Sequence, residues 1–145
     1  MAFAKVPPIS KSKINLAGKV LANDKSNGLT LNEAISIAAV WRAGHAYPIN
    51  TFQSTLRRKL KKFSNNPLVA QRLKRMPTII DKLHRYHKMQ LARMQDIGGV
   101  RAILDSVHDV YLLAKEYKDK SRFAHELVGE KDYIISPRDE DGYRS

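Results

Sequence analysis

The apolar spacing of this chain changes at Gly98-Gly99, and that change limits the folds open to it. Before the pair, Ile79, Ile80, Leu83, His87, Leu91 and Met94 can share one side of a long helix with Pro77 at its first position. After it, Val100, Ala102 and Leu104 alternate with Arg101 and Ile103, the period of a strand. Both periods within one short chain point to helices packed on a sheet, an α+β or α/β layer.

The rest of the chain fills in that layer. Residues 1–28 carry Pro7-Pro8, several Ser and Lys, and Asn27-Gly28, and read as a flexible leader to a domain spanning 29–145. Thr30-Leu31-Asn32-Glu33 has the spacing of a capping box, so a helix is expected from Leu31 to Ala43, ending near Gly44. Pro48 marks a turn. Phe52, Leu56, Leu60 and Phe63 form the apolar stripe of a second helix over 51–63, broken by Asn65-Asn66-Pro67. Leu68 to Lys74 reads as a short helix, 107–118 as another, and Tyr133-Ile134-Ile135 as a second strand closed by Pro137. The N-terminal half is thus helix-rich. Two strands make a poor sheet, since stability generally needs three or more, so the sheet is expected to be incomplete.

Composition matters chiefly through charge. The chain has 145 residues and a formal net charge of +12. Between Arg57 and Arg93 twelve Lys or Arg face a single acid, Asp81. Such a concentration belongs to one face or groove and favours anionic partners: nucleotides, tRNA or other RNA, or an anionic surface. An apolar content of 43% suffices for a packed core. Cysteine is absent, which excludes disulfides and thiolate metal sites. No apolar run nears the roughly 18 residues of a membrane span, and the first residues lack a signal-peptide core. Cytoplasm is the default compartment, and no membrane partner is expected.

Candidate functional residues cluster around the glycine pair. Arg72, Lys74, Lys82 and Arg85 suit phosphate, since Arg offers a bidentate fork and Lys a compact charge. A solvated helical face or an RNA patch explains the same residues. Asp96 can hold Mg²⁺, which takes one or two carboxylates plus substrate phosphates and waters; it can equally be a turn residue beside cations. Gly98-Gly99 either allows a close backbone approach or makes the turn. Tyr143, behind Gly142, can stack on a base or pack at the start of a strand. The histidines form no ligand set, and neither a nucleophile elbow nor a Walker lysine motif occurs.

Taken together, three segments resemble the synthetase domain of the RelA/SpoT family, the (p)ppGpp synthetases. Arg72-Leu73-Lys74, Thr78 and Lys82-Leu83-His84-Arg85 resemble the family's Arg-x-Lys, Ser/Thr and Lys-Leu-x-Arg segment. Asp96-Ile97-Gly98-Gly99-Val100-Arg101 resembles its Asp-Ile-x-Gly-x-Arg strand entry. Asp132-Tyr133-Ile134, Pro137-Arg138 and Gly142-Tyr143-Arg144-Ser145 resemble its Asp-Tyr-Ile, Pro-Lys and Gly-Tyr-Arg-Ser. The match covers about half the chain, residues 68–145.

The resemblance implies a nucleotidyltransferase-like mixed sheet flanked by helices. It implies transfer of the β,γ-pyrophosphate of ATP to the 3′-hydroxyl of GDP or GTP, with Mg²⁺. By position, Arg72, Lys74, Lys82 and Arg85 would hold ATP, Asp96 would bind the metal, and Arg101 would support the phosphates or Asp96. Arg138 and Tyr143 would meet the guanosine nucleotide. Arg138 stands where the family usually has Lys, and the loop from 138 to 142 is longer and more acidic than usual. The family pattern continues beyond Ser145 with a His and a Glu-x-Gln strand. The chain is therefore expected to be a partial, synthetase-only domain with poor turnover. Two other readings remain: a relative that pyrophosphorylates the tRNA 3′ end, and a non-catalytic RNA-binding remnant. A homo-oligomer is compatible with all three.

Overall fold

The computed structural model describes residues 8–24, 28–119, 124–139 and 142. Among the described residues, five α-helices and two strands run in the order α1 (Lys11–Leu21), α2 (Leu31–Ala43), α3 (Ala46–Leu60), β1 (Leu68–Leu73), α4 (Met76–Arg85), β2 (Gly98–Ile103) and α5 (Val107–Lys118). The fold is α+β, with a small two-stranded antiparallel sheet. The chain divides into two compact units, Met1–Leu104 and Asp105–Ser145.

The first unit is built around a helical core. Ile14, Ala17 and Leu21 of α1 pack with Ala34, Ile37 and Ala38 of α2, Ile79 and Leu83 of α4, and Leu91, Met94 and Ile97 beyond it. Residues 11–21 are therefore not part of a loose leader. Ser10 caps α1 by accepting from the Lys13 N–H at 3.2 Å. The Asn15 side chain accepts from the Ala92 N–H at 2.9 Å. Gly18 lets α1 sit against Leu91, whose Cβ would lie 2.8 Å from any Cβ added there. Ile14, Ala17 and Leu21 repeat at helical spacing among Ser and Lys, so the apolar face of α1 is too narrow to stand out from a leader in the sequence.

Helix α2 has the expected bounds, and both halves of the Thr30–Glu33 capping box form. Helix α3 starts earlier than 51 and includes Pro48. Pro48 sits in the first turn, where backbone N–H groups have no helical partner, so it sacrifices no hydrogen bond. Leu56 and Leu60 are buried, as the stripe requires.

Residues 68–73 are a strand, not a short helix. Six residues make a marginal helix alone, whereas β2 offers a full ladder in the register Leu68↔Ile103 through Leu73↔Gly98. The Lys74 N–H extends the ladder by donating to the Ile97 carbonyl at 2.7 Å. Helix α4 ends at Arg85 and does not run to Met94. Its apolar stripe continues into two single 3₁₀ turns, Leu91–Arg93 and Gln95–Ile97. There Leu91, Met94 and Ile97 reach the core from a different backbone path.

In the second unit, Ser106 caps α5 by accepting from the Asp109 N–H at 3.1 Å. Residues 133–135 form a turn instead of the expected strand. Asp132 Oδ1 accepts from the N–H groups of Ile134 and Ile135 at 3.0 and 3.1 Å. Such local side-chain bonds compete with extended pairing. Tyr111 donates to Asp132 Oδ2 at 3.0 Å and holds that turn to α5. Among the described residues, no helix is long and apolar enough to cross a membrane.

Candidate functional site

The two strands divide their side chains between two faces. Directly opposed residues point the same way and alternate positions share a face. Val69 and Leu73 on β1, with Gly98, Val100 and Ala102 on β2, are half-buried. Ala70 and Arg72, with their partners Arg101 and Gly99, lie on the exposed face. A cleft of about 390 Å³ is lined by these four residues together with Gln71, Gly98 and Val100 of the strands and Lys74 and Asp96 at their ends.

Asp96 closes one end of the cleft. It lies in the 3₁₀ turn that feeds β2, so the turn aims its carboxylate at the strand ends. Lys74 Nζ donates to its Oδ2 at 2.9 Å, and Lys82 Nζ to its Oδ1 at 2.8 Å. Lys74 comes from the end of β1 and Lys82 from α4, so three elements converge on one carboxylate. Burial alone would raise the Asp96 pKa. The hydrogen bonds and charges of Lys82 and Lys74 outweigh it and hold the carboxyl below its usual range.

Lys74 is the one buried charged residue among the described residues, only 9% exposed. Its carbonyl accepts from Arg42 Nε at 2.6 Å, which pins the β1 end to α2. Sequence reasoning missed Arg42 as a support for the site. Its only signal was a cation in the last turn of a helix whose C-terminal half is otherwise apolar, and its partner lies 32 residues on. It also missed Ile49 of α3, which packs beneath Gly98.

Of the residues singled out by sequence, Arg72, Lys74, Lys82, Asp96 and Arg101 come together. The Arg72 guanidinium has no hydrogen-bond or ion-pair partner among the described residues. Arg85 does not line the cleft, and its guanidinium pairs with Asp81 one turn back at 2.6 Å. Arg138 belongs to the second unit, where its carbonyl accepts from the Gly142 N–H at 2.8 Å. Tyr143 lies outside the described residues.

Two ammonium groups on one carboxylate, with Arg72 and Arg101 lining the same cleft, make a site suited to a polyanion. Among the described residues, no three His, Cys, Asp or Glu side chains are placed to hold a metal. A protein-only metal cage therefore does not fit this cleft. A Mg²⁺ that takes one carboxylate and draws its other ligands from water and phosphate does fit.

An open strand pair with a cationic cleft and one carboxylate has the charge pattern that suits phosphorylated ligands. The model describing a region found in RelA / SpoT proteins matches residues 71–145, just over half of the chain. The chain belongs to the RelA/SpoT family, a family of nucleotide pyrophosphotransferases. Comparison with curated proteins gives no match.

Proposed function

We propose that this chain binds ATP with Mg²⁺ in the cleft and transfers the β,γ-pyrophosphate to the 3′-hydroxyl of GDP or GTP. The convergence of Lys74 and Lys82 on Asp96, beside Arg72 and Arg101, carries this reading. The acceptor 3′-oxygen attacks the β-phosphorus, the bond to the oxygen bridging to the α-phosphate breaks, and AMP leaves. Such a reaction needs positioning and charge stabilisation more than covalent help from the protein.

The residues divide that work. Arg72 and Arg101 hold phosphate oxygens over the open face of the strands, with the planar donors that suit them. Lys74 and Lys82 exchange part of their contact with Asp96 for phosphate and keep the carboxylate aimed. Asp96 would hold Mg²⁺ together with phosphate and water, and the ion would supply neutralisation of phosphate charge. Arg138 and Tyr143 are proposed for the acceptor nucleotide on the sequence resemblance alone.

The test is incubation with ATP, GDP or GTP, and Mg²⁺, followed by separation of nucleotides. AMP and a 3′-pyrophosphorylated guanosine nucleotide are expected in equal amounts, and both are lost in Asp96→Asn. ATP consumption without any guanosine product rejects this acceptor.

A second acceptor is favoured by one observation. Arg57, Arg58 and Lys61, at the C-terminal end of α3, are exposed and none lines the cleft. A cationic helix end of this kind suits an RNA backbone. Transfer to the tRNA 3′ end then predicts label on tRNA, not on guanosine nucleotides. A non-catalytic RNA-binding role predicts salt-sensitive RNA binding that Asp96→Asn leaves unchanged.

A further inference from the structure

Two adjacent glycines open β2, and they answer to different constraints. Gly98 is fixed by packing. A Cβ added there would run into Ile49 Cδ1, and would lie 2.9 Å from Ile49 Cγ1. Ile49 belongs to α3, so Gly98 lets helix and strand close together.

Gly99 has no such reason. An added Cβ meets nothing within 4 Å. Its φ lies outside the left-handed region, so any residue could adopt its backbone. Glycine within a strand is destabilising relative to a residue with a side chain, and often marks close approach by a ligand or another backbone. Gly99 is directly opposite Arg72 and two residues before Arg101, on the exposed face. All three line the cleft.

We propose that Gly99 is a positioning residue for the phosphate chain: its bare Cα leaves the floor between Arg72 and Arg101 open, so that a polyphosphate lies directly against β2. The proposal rests on the reading of this cleft as a polyphosphate site. Its physical basis is reach. Opposed residues on a strand pair stand about 4.5–5.5 Å apart, and same-face neighbours along a strand about 6.6 Å. A side chain at 99 would rise between the two guanidinium groups and lift the ligand away from both. Hydrogen bonds from Arg to phosphate oxygen lose strength steeply with distance and misalignment. The ligand lost first is thus the phosphate chain, and the loss grows with the size of the side chain at 99.

Equilibrium binding of inorganic tripolyphosphate, and of ATP with Mg²⁺, to the full chain tests this. Gly99→Ala, Gly99→Val and Arg72→Ala are compared with the parent, each with a thermal melt. Both Gly99 variants are expected to melt at or above the parent temperature. Affinity for both ligands falls a few-fold in Gly99→Ala and at least tenfold in Gly99→Val. Parental affinity in a Gly99→Val protein with parental melting overturns the role of Gly99 and leaves the cleft reading intact. If Gly99→Val melts early, Gly99→Ala decides: a few-fold loss at parental melting supports the proposal, and no loss overturns it. A parent chain that binds neither ligand, or an Arg72→Ala protein that binds both as the parent does, overturns the cleft reading and this proposal together.

Discussion

Lys82 and Asp96 meet at 2.8 Å although one belongs to a helix and the other to the turn that enters β2. Lys74 takes the other carboxylate oxygen at 2.9 Å. A divalent cation that binds through Asp96 therefore competes with an ammonium group at either oxygen, and favours a site from which one ammonium is displaced. Polyphosphate offers the displaced ammonium a new partner, so metal and phosphate are expected to enter together. Lys82→Met frees Oδ1 without adding charge. It should strengthen Mn²⁺ binding in the absence of nucleotide while weakening ATP about tenfold or more, the scale of a lost hydrogen bond to a charged group. Electron paramagnetic resonance of free Mn²⁺ reads the first effect and nucleotide titration the second. Weaker Mn²⁺ binding in the variant removes the competition argument.

The same pairs make stability depend on pH. Asp96 titrates below its usual range when folded. Its contribution is therefore present above the unfolded carboxyl pKa of about 4 and fades as pH falls through the lower folded value. The carboxylate is 51% exposed, so solvent screening limits the effect to about 1 kcal/mol or less. Chemical denaturation of the parent and Asp96→Asn should differ by that amount near pH 7 and converge well below pH 4. A constant offset across the range would mean that the charge is not responsible.

Arg42→Ala removes the bond from Nε to the Lys74 carbonyl and leaves the β1 end untied from α2. A charged, part-buried donor of this kind is worth about 1.5–3 kcal/mol. The variant should melt lower and bind ATP more weakly, because Lys74 loses its fixed backbone. Arg42→Lys should recover little, since an ammonium cannot reproduce the guanidinium geometry. Full rescue by lysine would show that only charge matters there.

Gly98→Ala drives a methyl group into Ile49. The β-branched isoleucine is stiff at χ1, so relief requires movement of α3 or of the strand. The expected destabilisation is about 1–2 kcal/mol, within the range for overpacking. Combining it with Ile49→Ala should recover part of that loss in a double-mutant cycle. Simple additivity of the two changes would place the strain elsewhere.

Much of the architecture was legible along the chain because it is local. The Thr30–Glu33 capping box, the Leu56–Leu60 stripe and the break at Asn65-Asn66-Pro67 each act within a few residues. The alternation after Gly98 located β2 for the same reason. Segments 68–73 and 133–135 differ from their expected forms, a strand in place of a helix and a turn in place of a strand, because pairing is not local. Leu68–Leu73 becomes a strand through a partner about thirty residues away, and 133–135 loses that role to Asp132 and its backbone bonds.

The site divides in the same way. Residue types alone made the stretch from Arg72 to Arg101 a candidate for phosphate, beside a solvated face or an RNA patch, since cationic forks and one carboxylate can serve all three. Only the tertiary structure decided which of them meet. It turned Lys74 and Lys82 onto one carboxylate, committed Arg85 to Asp81, and tied the Lys74 backbone to Arg42. It also separated two glycines that look alike in sequence, one held by Ile49 and one open to the cleft. Spacing specifies the face on which a side chain lies; the approach of a distant helix or strand specifies what that side chain touches.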